Sequence, residues 1–380
     1  MTERENDLTE LRREIDRIDR ELLRQFEKRM ELCGQIAEYK MSAGRPVQDL
    51  EREKQKIAML QEEAGNAFNK NSAAELFSQV MSISRKYQYQ LMAERGMVGA
   101  IPFEMLPIIP KKKAKVVYQG VEGSYSQAAM FQYFGRDVYN FNVKTFDEAM
   151  KAICGGMADY AVLPFDNSRT GQVGDVHDLL MHYDNYIVGE EYLKVNHVLL
   201  GLPGAKVEDL KIVYSHPQGL MQCKNFLSEH AAIRPVENEN TAAGARKILE
   251  DKEITSAAIA GEICAELYGL EVLKRNIADN PDNTTRFIIV SSKKIYSEAS
   301  KRVSICFEAA HEPGSLYRLL SHFIYNNLNL CKIESRPVPN KAWEYRFFVD
   351  FEGNLSNPNV KNALRGVLEE APYFKILGNY

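Results

Sequence analysis

Apolar residues recur at helical spacing through most of the first 92 residues, which predicts a bundle of three helices. The first helix is expected to stop near residues 42–44, the second to open at Arg45-Pro46 with proline at its first position, and the third to follow Asn71-Ser72. The first helix is too long to be covered by two short partners in one chain, so the pattern predicts pairing with a second copy. Its apolar stripe consists of Leu8, Leu11, Ile15, Ile18, Leu22, Cys33 and Ile36.

Charged residues interrupt the apolar faces of these helices. Arg29 and Lys40 fall in line with Leu22 and Cys33, and cations are costly to bury without partners. The pattern therefore favours either a cationic pocket inside the bundle or a solvated helical dimer with ion pairs between its helices. Arg12 flanks the same stripe, Asp49, Arg52, Glu53 and Lys56 share one face of the second helix, and Ser84 and Gln88 share a face of the third.

The sequence changes character after residue 95. Glycine and proline punctuate residues 96–113, which is typical of a linker. From 114 to 292, short apolar strands alternate with helices, and this order predicts two α/β lobes with a cleft between them. Ligands of such folds bind where strands end in polar loops. The loop residues expected at the cleft are Ser126, Asn167, Ser168, Thr241, Thr285 and Arg286.

Thr285 and Arg286 lie at the mouth of an apolar strand. A guanidinium grips a carboxylate with two prongs, and a neighbouring hydroxyl adds a short donor, so the pair suits a small carboxylate substrate. A Thr-Arg-Phe tripeptide on its own is more typical of a turn cap followed by a surface arginine. His216 has no second histidine or carboxylate at ligand spacing, and we interpret it as structural.

Residues 300–380 predict a compact α+β domain. Strands and helices alternate there in the order β-α-β-β-α-β, which is the ferredoxin-like arrangement. A unit of this kind fused behind an enzyme-like body is more often regulatory than catalytic.

Composition excludes several classes of function. The chain has 380 residues and a formal net charge of -4, whereas proteins that bind nucleic acid typically have a basic domain. Its six cysteines form no C-x-x-C pair, which indicates reduced thiols and a cytoplasmic protein. Neither a signal peptide nor a membrane helix is expected. Because no phosphate-binding loop, dinucleotide fingerprint or metal-ligand motif is present, we expect no cofactor and no metal.

Motifs along nearly the whole chain resemble the bifunctional chorismate mutase–prephenate dehydratase family with a C-terminal ACT regulatory domain. The helical part contains L-R-R-E-I-D and R-P-V-Q-D-L-E-R-E. The central part contains G-x-E-G-S-Y-S, L-P-F-D-N-S, S-H-P-Q, N-T-A-A and N-T-T-R-F, and the tail contains E-P-G-S-L and I-E-S-R-P. Two motifs depart from the family, which more often has P-I-E-N at residues 164–167 and G-P at residues 120–121.

The resemblance implies a multidomain fold and two activities. It places an intertwined all-helical mutase domain at 1–95, a linker at 96–113, a two-lobed, periplasmic-binding-protein-like dehydratase domain at 114–292 and an ACT domain at 300–380. The mutase, an isomerase, would rearrange chorismate to prephenate. The dehydratase, a lyase, would convert prephenate to phenylpyruvate with loss of water and carbon dioxide, as a step of phenylalanine biosynthesis.

The resemblance also assigns roles to residues. In the mutase, Arg12 from the partner chain, Arg29 and Arg52 would hold the substrate carboxylates, and Lys40 and Gln88 would donate to the ether oxygen. Asp49, Glu53 and Ser84 would contact the substrate hydroxyl or order the cations. In the dehydratase, Thr285 would donate a hydrogen bond towards the leaving hydroxyl, directly or through water, and Arg286 would pair with a carboxylate. Uncharged donors would come from Ser126, Asn167, Ser168 and Thr241.

In the ACT domain, the resemblance implies phenylalanine as an allosteric effector bound where two ACT domains meet. The residues expected to bind it are Gly314, Ser315, Leu316, Glu334, Ser335 and Arg336. The partners are thus chorismate, prephenate, phenylalanine and a second copy of the chain, without nucleic acid or membrane.

Three alternatives remain open on the sequence. The dehydratase could take arogenate instead of prephenate, since both share the cleft motifs. The chain could be a catalytically silent protein that senses an amino acid, or a helical dimer fused to a dehydratase with the mutase lost. The intact polar sets around Lys40 and Thr285 argue against the last two.

Overall fold

The computed structural model describes residues 3–96, 101–169, 171–173, 176–339, 341 and 343–380. Contacts between residues divide the chain into two compact units. The first unit contains Met1–Pro102 and Arg302–Lys375, and the second contains Phe103–Lys301 and Ile376–Tyr380. The N-terminal helices and the C-terminal segment thus share one unit, and the three-domain boundaries stay a prediction.

Three helices form the N-terminal part: α1 (Glu3–Ala43), α2 (Leu50–Glu63) and α3 (Ala67–Glu94). The predicted end of α1 is confirmed, whereas the predicted starts of α2 and α3 are wrong. Asp49 and Asn66 set these starts, because each side chain accepts a hydrogen bond from a backbone N–H of the first turn. Pro46 therefore precedes α2, and Ser72 lies inside α3.

Only the C-terminal half of α1 is covered within this unit. Ala37 and Met41 of α1 pack in a small core with Tyr89 and Met92 of α3. The apolar stripe of the N-terminal half stays exposed, with Leu11 at 64% and Ile15 at 56% of their full accessibility. This half of α1 therefore presents an apolar stripe that nothing in the described part of the chain covers.

Among its described residues, the second unit contains two large sheets and one two-stranded sheet. The larger has the strand order β6–β12–β4–β2–β3, with β5 beside β4, and the smaller has the order β11–β7–β10–β8–β9. The elements are β1 (Glu104–Leu106), β2 (Lys115–Gln119), α4 (Tyr125–Phe134), β3 (Tyr139–Val143), α5 (Phe146–Cys154), β4 (Tyr160–Asn167), β5 (Gly171–Gln172), α6 (Val176–His182), β6 (Tyr186–Lys194), β7 (His197–Gly201), β8 (Ile212–Ser215), α7 (Pro217–Gln222), α8 (Lys224–Glu229), β9 (Arg234–Glu237), α9 (Thr241–Asp251), β10 (Ser256–Gly261), α10 (Ile263–Tyr268), β11 (Glu271–Lys274), β12 (Thr284–Ser291) and β13 (Ile295–Ser297).

Strand β12 is the central strand around which the larger sheet is built. It runs antiparallel to β4 on one side and to β6 on the other, and Thr285 pairs with Asn167 of β4. Its apolar run from Phe287 to Val290 is buried, as expected of a strand with neighbours on both sides. The polar residues at its start are thereby held beside the polar end of β4.

One stretch differs from the predicted linker. Strand β1 pairs in parallel with β13, so residues 104–106 belong to the second unit. The remainder of the predicted linker includes residues 97–100, which lie outside the described residues.

The C-terminal segment has the predicted order β-α-β-β-α-β, given by β14 (Arg302–Glu308), α11 (Ser315–Tyr325), β15 (Leu330–Pro337), β16 (Tyr345–Glu352), α12 (Pro358–Glu370) and β17 (Tyr373–Asn379). Antiparallel pairing joins β14 to β16 and β16 to β15. Strand β17 begins in the first unit and ends in the second. No helix of the described residues has both the length and the apolar character needed to cross a membrane.

Candidate active sites

A cavity of about 860 Å³ in the second unit is lined by residues of both sheets. Residues at strand ends and helix starts supply most of its polar groups. These are Ser124, Ser126, Asn167, His197, His216, Gln218, Gln222, Asn240, Thr241, Asn283 and Thr285. Four of the predicted dehydratase residues, Ser126, Asn167, Thr241 and Thr285, are thus brought together.

Two helices point their N-termini at this cavity. Ser124 caps α4 and Asn240 caps α9, and both cap residues line the cavity. A helix N-terminus carries a partial positive charge from its unpaired N–H groups, which favours anions. Lys144 adds one full positive charge to the lining and Glu239 one negative charge. The cavity therefore offers a small anion mainly neutral donors and helix ends.

Thr285 is buried in the lining and held by amides. Asn167 Nδ2 donates to Thr285 Oγ1 at 2.9 Å and to Asn283 Oδ1 at 2.7 Å. The orientation of the Asn167 amide is fixed because the backbone N–H of Arg169, which can only donate, contacts its Oδ1 at 2.9 Å. Thr285 Oγ1 thus accepts from Asn167, and its own proton is left to be donated to another group.

Arg286 does not line the cavity. Side chains alternate along a strand, so Thr285 and Phe287 face the cavity while Arg286 faces the other side of the sheet. Its Nε lies 2.9 Å from Asp166 Oδ2, its Nη1 lies 3.4 Å from Glu190 Oε2, and the guanidinium stacks 5.0 Å from the Phe165 ring centre. The sequence-based interpretation of Arg286 as a substrate-carboxylate ligand is therefore corrected: its guanidinium pairs with carboxylates of β4 and β6 instead.

Ser168 likewise has a structural contact in place of the predicted one. Its Oγ donates to the carbonyl of Asp282 at 3.1 Å and accepts from the backbone N–H of Thr284 at 3.0 Å. The serine is absent from the cavity lining. It fastens the end of β4 to the start of β12, which holds the Asn167–Thr285 pair in register.

Two histidines that were not predicted as site residues from the sequence line the cavity. His197 Nδ1 lies 2.9 Å from Tyr125 Oη and its Nε2 lies 2.8 Å from Gln222 Oε1. Burial lowers the pKa of His197, which favours the neutral ring. His216 caps α7 by accepting from the Gln218 N–H at 3.2 Å, in keeping with a structural role. No motif marks His197, because its position follows from the pairing of β7 with β10.

In the first unit, facing sides of α1 and α3 bring predicted mutase residues together. Arg29 Nη1 donates to Ser84 Oγ and contacts the Val80 carbonyl at 3.5 Å. Ser84 and Gln88 are buried one turn apart on α3, and Gln88 Nε2 donates to the Ser84 carbonyl at 3.3 Å. Gln88 Oε1 has no hydrogen-bond partner among the described residues.

Lys40 lies where α1 meets the loop before α2. Its ammonium donates to the Val47 carbonyl. Burial lowers the pKa of Lys40 and outweighs the opposite effect of the nearby Asp49 and Glu53 carboxylates. Asp49 caps α2, while Arg52 is exposed and Glu53 is half-buried. Cys33 lies beside both Arg29 and Lys40, so the group Arg29, Ser84 and Gln88 adjoins the group Lys40, Asp49 and Glu53. We call these six residues the mutase half-site.

Arg12 is separate from this cluster. It precedes Arg29 by 17 residues on the continuous helix α1, which at 1.5 Å per residue is about 25 Å. The Arg12 side chain is exposed. The half-site of one chain therefore lacks the arginine that the resemblance places in it.

The predicted effector residues lie at one helix start and on one strand of the C-terminal segment. Gly314 precedes α11 with φ at 77°, a conformation that favours glycine, and no side chain caps this helix. Glu334 of β15 has Lys332 Nζ at 3.0 Å and Arg336 Nε at 3.9 Å. Ser315 is buried, Leu316 is half-buried and Ser335 is exposed.

No group of three or more possible metal ligands occurs within the described ranges. The side chains of the cavity and of the mutase half-site offer hydroxyl, amide, imidazole, ammonium, guanidinium and carboxylate groups.

Comparison with known proteins assigns both parts of the chain. Residues 11–89 match the family model "Chorismate mutase type II", and residues 116–295 match "Prephenate dehydratase". A bifunctional chorismate mutase/prephenate dehydratase from Aquifex aeolicus is 33% identical over 98% of both chains. An arogenate dehydratase/prephenate dehydratase from Arabidopsis thaliana is 35% identical over 73% of this chain and 79% of its own.

A solved structure supports the same assignment. Prephenate dehydratase from Arthrobacter aurescens, in complex with L-Phe, matches with a TM-score of 0.65 and 30% identity, over 70% of this chain and 89% of its own. The catalytically silent alternative is set aside by the two family models and by full-length relatives named for both activities. The chain therefore belongs to the bifunctional chorismate mutase/prephenate dehydratase family, and it is an enzyme of phenylalanine biosynthesis with both activities.

Proposed function

We propose that the two reactions take place at the two polar clusters described above. Chorismate would rearrange at the mutase half-site completed by a second copy of the chain, and prephenate would lose water and carbon dioxide in the cavity around Thr285. The observation that carries the second assignment is the fixed Asn167 amide, which makes Thr285 a donor towards the cavity.

The dehydration needs modest assistance, because formation of an aromatic ring drives it. Thr285 donates a hydrogen bond to the ring hydroxyl as that group leaves, which lowers the negative charge that develops on its oxygen. A threonine hydroxyl is too weak an acid to give up its proton, so the ring hydroxyl leaves as hydroxide, hydrogen-bonded to Thr285 directly or through a bound water, and solvent neutralises it. The electron pair left as carbon dioxide departs completes the aromatic ring. The two carboxylates of prephenate would be held by the α4 and α9 N-termini and by Lys144.

The rearrangement of chorismate is pericyclic and requires neither a nucleophile nor a proton transfer. The protein has to hold the folded conformer and stabilise charge at the ether oxygen. In this proposal Arg29 and Arg52 bind carboxylates, Lys40 and Gln88 donate to the ether oxygen, and Glu53 accepts from the substrate hydroxyl. Ser84 holds Arg29 in place, and Asp49 orders the start of α2.

A product time course tests the assignment of substrates. Purified protein given chorismate alone should accumulate phenylpyruvate, with prephenate as a transient. Prephenate that builds up without phenylpyruvate would contradict prephenate as the second substrate. Parallel reactions started from prephenate and from arogenate would then decide the alternative, for which Glu239 in the cavity lining offers an acceptor to the arogenate ammonium.

We further propose that the C-terminal segment is an ACT domain that binds phenylalanine as a feedback inhibitor. The relative from Arthrobacter aurescens was solved in complex with L-Phe. The uncapped start of α11 at Gly314–Leu316 would bind the carboxylate of the amino acid, and Glu334, ordered by Arg336 beside Ser335, would bind its ammonium.

Calorimetric measurement of phenylalanine binding to the full chain tests this proposal. Phenylalanine should bind the wild type, and Glu334→Gln should weaken binding by about tenfold or more, since a charge-assisted hydrogen bond becomes a neutral one. Glu352→Gln, which removes an exposed carboxylate from the end of β16, is the matched control and should leave binding unchanged. Absence of heat at millimolar phenylalanine would contradict the regulatory assignment.

A further inference from the structure

Arg85 is a buried cation of α3 that the two reactions described above do not use. The residue is 5% exposed. Its Nη1 contacts Glu53 Oε2 at 2.5 Å, and its Nη2 and Nε contact Glu370 Oε1 at 2.9 and 3.0 Å. One guanidinium thus joins the carboxylate of a mutase half-site residue to the carboxylate that ends α12 in the C-terminal segment.

The Glu370 end of this connection is buried and closely packed. His322 Nε2 of α11 lies 3.2 Å from the same Glu370 oxygen, and both side chains are almost fully buried. His322 lies against α12 at Gly366, where an added Cβ would come within 2.2 Å of the ring. The Glu370 end of the network is therefore enclosed where α11 packs on α12.

In this network one guanidinium lies between two carboxylates. Burial alone would raise the pKa of Glu370, but His322 and Arg85 outweigh it and lower that pKa, so the group is a carboxylate. Burial would likewise lower the pKa of Arg85, and Glu370 and Glu53 reverse the shift. Removing Arg85 would leave two carboxylates without their cation at a largely buried position, which is costly, whereas removing one carboxylate leaves the other to pair with Arg85.

Adjacent contacts of α3 differ in what they connect. Lys86 Nζ donates to Ser321 Oγ at 2.7 Å, and Tyr89 Oη donates to Glu369 Oε2 at 2.5 Å. These bonds join α3 to α11 and α12 through residues outside the mutase half-site. Arg85 instead contacts Glu53, which belongs to the half-site.

We propose that Arg85 is a positioning residue of the mutase: it fixes the Glu53 carboxylate for the substrate hydroxyl, and Glu370 of the C-terminal segment fixes Arg85. The inference rests on the proposed role of Glu53 in substrate binding. When Glu370 is neutralised, the guanidinium loses the charged partner that holds it, and Glu53 is no longer kept in place for the substrate hydroxyl. In this proposal the C-terminal segment contributes to substrate binding by the mutase through Glu370.

The test measures mutase KM and kcat on the full chain for Glu370→Gln, Arg85→Met, Arg85→Lys and the double variant. Arg85→Met should raise the KM for chorismate by about tenfold with kcat within about twofold, as expected when ground-state and transition-state binding are lost equally. Arg85→Lys should restore part of the loss, because lysine keeps the charge without the two-pronged geometry. Glu370→Gln should raise KM on its own and add nothing in the Arg85→Met background.

Lys86→Met is the matched control, since it removes the neighbouring buried cation and its bond to Ser321 without touching Glu53. It should change the melting temperature and leave the KM for chorismate unchanged. If Lys86→Met raises KM as much as Arg85→Met, the network is only an interface and the proposal is overturned. Should Arg85→Met fail to fold, Glu370→Gln and Arg85→Lys decide by the same KM values.

Glu53→Gln separates this inference from the one beneath it. Unchanged mutase kinetics in Glu53→Gln would refute the substrate-binding role of Glu53 itself. A raised KM in Glu53→Gln together with an unchanged KM in Arg85→Met and Glu370→Gln would keep that role and refute the positioning role of Arg85.

Discussion

Replacing Thr285 by valine should lower dehydratase kcat/KM by about 10²–10³-fold, the usual loss when one preorganised donor to a developing oxyanion is removed. Valine keeps the shape of threonine and removes its hydroxyl. The fixed Asn167 amide then faces a methyl group, and the leaving hydroxyl has no donor from β12. The measurement is the rate of phenylpyruvate formation from prephenate.

Thr285→Ser is the matched control for this prediction. Serine keeps the hydroxyl that accepts from Asn167, so most of the dehydratase rate should remain. Mutase activity, measured from chorismate on the same samples, should be unchanged in both variants because Thr285 lies in the second unit. Equal loss of both activities would indicate misfolding, and full dehydratase activity in Thr285→Val would remove Thr285 from the mechanism.

Placing two charges on the exposed stripe of α1 should abolish mutase activity and spare the dehydratase. We propose that a second copy of the chain covers this stripe, because Arg12 is about 25 Å along the helix from the Arg29 of its own chain and can complete only another chain's half-site. Leu11→Glu with Ile15→Glu should yield a monomer in sedimentation velocity, with mutase kcat/KM reduced by about 100-fold or more from the loss of a carboxylate-binding arginine.

Arg13→Gln with Arg20→Gln is the matched control, since it changes net charge equally on the opposite side of α1. This variant should stay dimeric and active. The glutamate variant should still fold, because Leu11 and Ile15 are exposed in one copy. A monomer with full mutase activity would refute the shared site, and a persistent dimer would show that another surface makes the interface.

Features that depend on local patterns could be predicted from the sequence, whereas features that depend on contacts between distant residues could not. The strand after Thr285 and the helix order of the C-terminal segment follow from apolar periodicity, and the structure has them. Alternation along a strand also indicates that Thr285 and Arg286 face opposite sides, so the error on Arg286 was avoidable. The partners of Arg286, Asp166 and Glu190, could not be identified from the sequence, because they depend on β12 lying between β4 and β6.

The starts of α2 and α3 illustrate a different limit. Proline at residue 46 and serine at residue 72 are typical helix-start residues, yet Asp49 and Asn66 cap the helices. Several capping residues in one short stretch are equivalent by propensity, and tertiary packing selects among them. The contact of Arg85 with Glu370 spans 285 residues of sequence, and neither residue carries a motif.

The division of β17 between the two units has a consequence for how the polypeptide folds during its synthesis. Residues 1–102 share a unit with residues 302–375, and the second unit includes residues 376–380. A ribosome adding about 5–20 residues per second needs roughly 10–40 s to make the intervening 103–301 segment. During that time the N-terminal helices have exposed apolar and charged surface without their C-terminal partner. Neither unit can therefore be completed before residues of β17 have been synthesised.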